Sequence, residues 1–374
     1  MLKIRQHSII AFIFCTMIVS SCKERENDVA TLNIALGQTT VSAGASRQTM
    51  TIETNSKQTW TATVESNGSW CVVTPSSGTG SAFVSVNVAE NTPDITRTAT
   101  ITITIDKTSQ SVNLTQRGVP NGIEIPEIKN RRWCIQHQYY ALEFDTAQRH
   151  SIWVAYVFNN HYNLNNVTRP NPDPWIYDPQ IPREFQWAYP HNPDAPGAGN
   201  FPTLPGYDRG HLIASADRLF NSAANLETFH ISNASPQVGR YFNQHIWESL
   251  ESLVRRWARA SDCDTLYVVT GGAINPGVET LGRIGSRNNV TIPKYYYKAL
   301  VKRKGNDFTG IAWWFENKQH SSTTVTNYSY AMTIRELEQK TGINFFPNLK
   351  YALPGNPNLE EDVETTMNTA RWPL

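Results

Sequence analysis

The run Ala99-Thr100-Ile101-Thr102-Ile103-Thr104-Ile105 leaves little choice of local structure. β-Branched side chains crowd a helix and suit a pleated surface. An apolar residue at every second position turns one face to a core and the other to solvent. Phe83-Val84-Ser85-Val86-Asn87-Val88 repeats the pattern, and Gly, Asn and Pro separate such runs through residues 30–117. Short alternating strands joined by these turns predict an antiparallel β-sandwich. A chain of 374 residues exceeds one ordinary core. Gly118-Val119-Pro120-Asn121-Gly122 is a turn-rich join where a second domain begins.

The second part differs in composition, with nine of the eleven tryptophans and eight of the nine histidines. Ile135 to Phe144, Ile152 to Phe158 and Thr265 to Thr270 read as strands. Asn243 to Ala260 carries Ile246, Leu250, Leu253, Val254 and Trp257 at helical spacing, and Thr333 to Thr341 reads as a second helix. Strands and helices in this order predict an α+β domain with a mixed sheet. Residues 165–206 form a Pro/Asn-rich loop too long for simple connection.

The N-terminus reads as an address. Lys3 and Arg5 precede an apolar run from Ile9 to Val19, too short to span a bilayer and shaped like a signal-peptide core. It ends in Val19-Ser20-Ser21-Cys22, which resembles a bacterial lipobox. That resemblance implies a signal peptide over 1–21, a lipid on Cys22, a tether over 22–32 and an outer-membrane location in the cell envelope, with surface exposure left open. Removing residues 1–21 takes away two positive charges and no acids, so the formal charge passes from +1 to −1. Near-neutrality excludes a passive nucleic-acid coat, which needs massed Lys and Arg, and suits an enzyme with a local basic patch. Of Cys71, Cys134 and Cys263, the pair Cys134–Cys263 is the expected disulfide, since both flank strands of one domain.

Trp60, Ser69-Trp70, Pro75-Ser76-Ser77-Gly78, Asn91, Arg97, Ile101 and Gln116-Arg117-Gly118 together resemble the BACON domain of Bacteroidetes surface proteins. The resemblance spans residues 33–118, with 119–130 as linker, and leaves a glycan partner for the domain open. Trp60 and Trp70 are expected to pack inside, which makes the domain a spacer.

The sharpest motif is Tyr207-Asp208-Arg209-Gly210-His211. It is followed by Thr228-Phe229-His230-Ile231-Ser232-Asn233, Ser235-Pro236-Gln237, Asn243, Trp247 and Glu251. This order resembles the DNA/RNA non-specific endonuclease family, with its ββα-metal (His-Me finger) core, and places that domain over residues 131–374. Phosphodiester hydrolysis needs an activated water and neutralised charge, and a histidine titrating near neutrality suits the first task.

The resemblance implies His211 as general base, Arg169 as transition-state stabiliser, Asn233 as an aid in placing histidine and phosphate, and Glu251 as a carboxylate orienting a metal-bound water. It implies Arg209 and Arg255 as substrate contacts. It implies Asn243 as the direct ligand to Mg2+, and leaves open whether Mn2+ can replace that ion. On a helix over 243–260, Glu251 lies about 12 Å of rise beyond Asn243, too far to share the ion directly. Asp208 is read as fixing the local loop. His137, His191, His230 and His245 are read as surface or core polar residues rather than ligands.

The function that follows is a secreted, Mg2+-dependent endonuclease cutting DNA and RNA. The rival is a glycan-binding surface adhesin with an inactive nuclease half. Oligomeric state is not legible.

Overall fold

The computed structural model describes residues 30–187, 207–284 and 290–374. The signal peptide, Cys22, residues 22–29 of the tether, residues 188–206 of the long loop and His191 lie outside the described residues.

The N-terminal domain contains β1 (Leu32–Leu36), β2 (Thr40–Val41), β3 (Ser46–Thr54), β4 (Thr59–Ser66), β5 (Cys71–Thr74), β6 (Ser77–Thr79), β7 (Ala82–Val88), β8 (Arg97–Ile105) and β9 (Thr108–Gln116). They form two sheets, β1-β3-β7-β5 and β2-β9-β8-β4-β6. The alternation in β8 does what its period requires, since Ala99, Ile101, Ile103 and Ile105 are all fully buried. They meet Met50, Ile52, Val84 and Val86 of the facing sheet. Trp60 and Trp70 are buried in this core, and the Trp60 indole N–H donates to the Gly80 carbonyl at 3.0 Å.

The second domain is built on β10 (Cys134–Gln136), β11 (Ala141–Asp145), β12 (His150–Phe158), β13 (Tyr207–His211), β14 (Ala234–Val238), β15 (Thr265–Gly272), β16 (Thr280–Ile284), β17 (Val290–Pro293), β18 (Tyr295–Lys304), β19 (Asp307–Glu316) and β20 (Ala331–Met332). Its helices are α1 (Ser222–Glu227), α2 (Glu248–Ala258), α3 (Ile334–Thr341) and α4 (Leu359–Thr365). The main sheet runs β10-β11-β12-β15-β18-β19-β20 with antiparallel neighbours throughout. One face packs on Trp247, Leu250, Val254 and Trp257. The other packs on Ile334, Leu337, Phe345, Phe346 and Val363. Cover on both faces explains why β15 and β18 are buried almost continuously rather than at alternate positions.

Four expectations change. The strand read over 135–144 is a hairpin, β10 and β11, because the chain reverses between His137 and Tyr140, where the His137 N–H donates to the Tyr140 carbonyl. The helix read over 243–260 starts at Gly239 as a π-helical segment, Gly239–Trp247, and becomes α-helical only at Glu248. Residues 119–130 are no free linker: Ile125 is buried in the core and the Glu127 N–H donates to the Asn344 carbonyl. The Cys134–Cys263 disulfide does not form. Both are free and buried, in the clusters on opposite faces of the main sheet, and a bridge requires close Cβ atoms. Cys71, in the sandwich, is likewise free. The helix read over 333–341 is α3, with Thr333 and Glu336 forming a reciprocal capping box and Gly342 in the left-handed conformation closing its end.

Candidate active site

β13 and β14 pair antiparallel, with His211 opposite Ala234, and the chain leaves β14 directly into the π-helical segment and α2. Two strands and a helix thus wrap one cleft of about 430 Å³. Gly210 is required here, because a Cβ would sit 1.9 Å from the side chain of the fully buried Gln237.

His211 ends β13 with 8% of its surface exposed. Trp175 lies 4.5 Å from its ring centroid and Phe229 5.0 Å, which fixes the plane of the imidazole. Its Nε2 is buried without a hydrogen-bond partner among the described residues. Burial above all, then the Arg169 cation, push its pKa from 6.5 to about 3, with Asp173 pulling it upward and Arg209 adding a last downward contribution. The imidazole is therefore neutral at physiological pH and keeps a lone pair for a proton.

Asn233 does not line the cleft. Its Oδ1 accepts from the Ile213 N–H at 2.9 Å, and its Nδ2 donates to the Ile213 and Thr228 carbonyls at 3.0 and 2.7 Å. Every polar atom of the fully buried side chain is engaged, so it clamps the backbone two residues past His211 and has nothing left for a phosphate.

Asp208 anchors the helical wall. Its Oδ2 accepts from Asn243 Nδ2 at 3.0 Å and from Gln244 Nε2 at 2.8 Å. A carboxylate can only accept, so the amide nitrogen of Asn243 must face it and the amide oxygen is left for the cleft. A hard divalent cation prefers oxygen donors and keeps most of its own waters. The Asn243 oxygen, with Glu248 and Glu251 lining the same cleft, fits that demand.

The cationic side divides. Arg209 lies over the Trp175 ring at 5.3 Å and faces the cleft. Arg169 also lines it, held in a two-pronged pair with Asp173 at 2.6 and 2.8 Å. Arg255 reaches the cleft wall, yet its NH1 donates to Asp217 at 2.8 Å and its NH2 to Ser252 at 2.9 Å. Asp217 is itself buried and accepts from the Tyr156 hydroxyl at 2.8 Å. Arg255 is thus committed to an internal ion pair, and the sequence carried no sign of its partner 38 residues earlier. Asp173, Trp175 and Glu248 also escaped the sequence reading, because nothing local marks them as neighbours of His211.

Burial also lifts the Glu251 carboxyl above its ordinary value, with Lys298 and Arg255 pulling it back and Asp217 and Glu248 adding to the rise. Lys298, fully buried in β18, was missed altogether.

A second polar cluster lies apart, among His137, Asp178 and His230, all buried with potential ligand atoms within 4.8 Å. Gln180 Nε2 donates to His137 Nδ1, which leaves the proton on Nε2 to donate to Asp178 at 2.9 Å. Ser232 and the Gln180 N–H also donate to Asp178, and the Tyr140 hydroxyl meets His230 Nδ1 at 3.2 Å. Protons occupy the positions a metal would take, and the network ties the loop at Asp178 to the β10–β11 hairpin. His137 and His230 are core residues, as expected from sequence. His245, partly exposed on the π-helical segment, belongs to neither cluster.

His150 supports the site from the main sheet. Its Nδ1 pairs with the Ser151 carbonyl at 2.7 Å and its Nε2 with the Ser235 hydroxyl of β14. Burial, partly opposed by the Ser151 carbonyl and Asp145, holds its pKa at about 4 instead of 6.5. The folded state therefore binds fewer protons than the unfolded one below pH 6.5. The resulting stability is complete above that pH and is lost as pH falls through 4. In His150→Gln this dependence is gone. The stability gap between wild type and variant should shrink by about 1.4 kcal/mol per pH unit below 6.5, read from urea unfolding at pH 7 and 5. A gap independent of pH would mean that the ring protonates freely in the fold.

The model of the DNA/RNA non-specific endonuclease family matches residues 123–352, and the BACON model, described as an N-terminal binding domain, matches residues 58–117. Nuclease C1 of Cunninghamella echinulata var. echinulata is 32% identical over 231 residues, 59% of this chain and 86% of that protein. A nuclease of Nostoc sp. is 26% identical over 261 residues, covering 67% and 84%. Human mitochondrial endonuclease G is 27% identical over 150 residues, covering 38% of this chain and 50% of its own length. The chain belongs to the DNA/RNA non-specific endonuclease family.

Proposed function

We propose that this protein is an extracytoplasmic, Mg2+-dependent endonuclease that hydrolyses both DNA and RNA. One observation carries the reading: an imidazole whose Nε2 has no partner among the described residues and an amide oxygen aimed by Asp208 line the same cleft. His211 takes the proton of the attacking water. Arg209 compensates charge on the phosphate, and Arg169 does the same once phosphate oxygens replace Asp173 as its partner. Asn243 would hold Mg2+, with Glu251 and Glu248 accepting hydrogen bonds from its waters. The ion would supply Lewis acidity at the leaving oxygen. Water enters at phosphorus as the bond to the 3′ oxygen breaks, which leaves a 5′-phosphate and a 3′-hydroxyl.

Lipidation of Cys22 would tether the enzyme to the outer membrane, with the sandwich as a stalk. Among the described residues no helix is long and apolar enough to cross a membrane. Burial of Trp60 and Trp70 removes the aromatic faces on which a sugar would stack and favours the spacer role over the adhesin.

Purified residues 23–374 should degrade plasmid DNA and total RNA with Mg2+ and leave both intact with EDTA. Cleavage unaffected by EDTA would remove the metal, and intact substrates across metals and pH would remove the enzyme.

A further inference from the structure

We propose that Lys298 is a positioning residue for this reaction, holding Glu251 and the backbone beside His211 as one unit from beneath the cleft. The proposal rests on the nuclease reading. Lys298 sits in the middle of β18 with no exposed surface. Among the described residues its ammonium donates to two neutral oxygens, the Leu212 carbonyl at 3.4 Å and the Thr270 hydroxyl at 3.2 Å. It also lies 4.6 Å from the centroid of the Trp247 ring. Among the described residues no carboxylate comes within 4.0 Å of it.

A buried ammonium without a contacting anion is costly unless nearby charge balances it. Glu251 is the leading source of that balance, with Asp217 behind it and Arg255 opposing. The geometry agrees. Glu251 follows Trp247 by four residues, one helical turn on and on the same side, so the ammonium over Trp247 lies beneath the face that presents Glu251 to the cleft. No protein hydrogen bond holds the Glu251 carboxylate among the described residues, which leaves its orientation to the field of Lys298 and Arg255. Leu212 follows His211 directly, so the same ammonium touches the strand end carrying the base. One cation therefore links the two walls of the cleft, β13 and α2.

A double-mutant cycle tests this with wild type, Lys298→Met, Glu251→Gln and the double variant. Each is measured for kcat and KM on plasmid DNA and for Tm. Met keeps the length of the side chain and removes the charge. Lys298→Met should lower kcat about 10- to 100-fold, with KM changed by less than about threefold. In the Glu251→Gln background the same change should cost less than about threefold further. The double variant should melt above Lys298→Met, because removing both charges leaves neither unbalanced.

Equal fold-losses in both backgrounds, or a double variant no more stable than Lys298→Met, would overturn the proposal. If Lys298→Met fails to fold, recovery of folding in the double variant supports the coupling. Failure of both overturns the coupling to Glu251 and leaves the ammonium a structural donor to the Leu212 carbonyl and the Thr270 hydroxyl. If wild type itself leaves nucleic acid intact, the Tm arm still reads the coupling, and it is the enzymatic reading that fails.

Discussion

Alanine at His211 is expected to lower kcat on plasmid DNA by about 10²- to 10⁴-fold, the range a positioned general base supplies. The loss should appear in kcat rather than KM, because the buried ring offers the phosphate no charge and enters the reaction only as it takes the proton. Removing a ring packed on Trp175 and Phe229 should cost roughly 1–3 kcal/mol of stability. A domain of this size tolerates that, so circular dichroism and gel filtration should be unchanged at 25 °C. Retention of more than about a tenth of wild-type kcat would take the base away from His211. Equal loss in folded content would make the activity result uninformative about chemistry, and His211→Gln, which keeps a planar side chain in the slot, is the paired control.

Alanine at Asn243 should raise the Mg2+ concentration giving half-maximal rate by at least about tenfold and lower the rate at saturating metal as well. Titrating activity against Mg2+ in both proteins reads both effects. The physical reason is the hydrogen bond from Asn243 Nδ2 to Asp208: it commits the nitrogen and leaves one oxygen, which no neighbouring side chain duplicates in that position. The same bond gives a less obvious outcome for Asn243→Asp. The carboxylate offers a stronger metal donor but no proton for Asp208, and the two acids would repel, so this variant should not restore wild-type metal dependence. An unchanged Mg2+ titration in Asn243→Ala would move the ion elsewhere in the cleft, with Glu248 and Glu251 the remaining oxygen donors.

The sandwich was legible because its rule is local. Each second residue of β8 is apolar, and each of those is buried. The site was legible in part for the same reason. Asp208 to His211 lies on one strand, and Asn243 and Glu251 lie on one continuous helical stretch, so their grouping survives without knowledge of the rest. Even there the π-helical start was missed. Apolar periodicity over 243–260 marks a helix but not the width of its turns, and it gives no sign that the helix begins at Gly239, where a Cβ would come 2.5 Å from the Asp208 carboxylate.

The roles of single charged residues were less legible still. Arg255 and Arg169 are the residue types that bind phosphate, yet Asp217 claims the first and Asp173 the second. Asn233 was expected to help place the histidine and the phosphate, and its side chain is spent on the backbone of Ile213 and Thr228. A side chain's type states what it can do, and its neighbours decide which of those things it does.

What the sequence by itself determined was everything carried by short-range period and order: the strand alternation, the helix over 333–341, and the strand-to-helix order that carries His211, Asn243 and Glu251. What only the tertiary structure decided was everything carried by burial and by partners far along the chain. It set the neutral state of His211 beneath Trp175 and Phe229, the free cysteines on opposite faces of the main sheet, and the place of Lys298 under the cleft. These depend on dielectric and distance, and neither quantity exists until segments dozens of residues apart have packed.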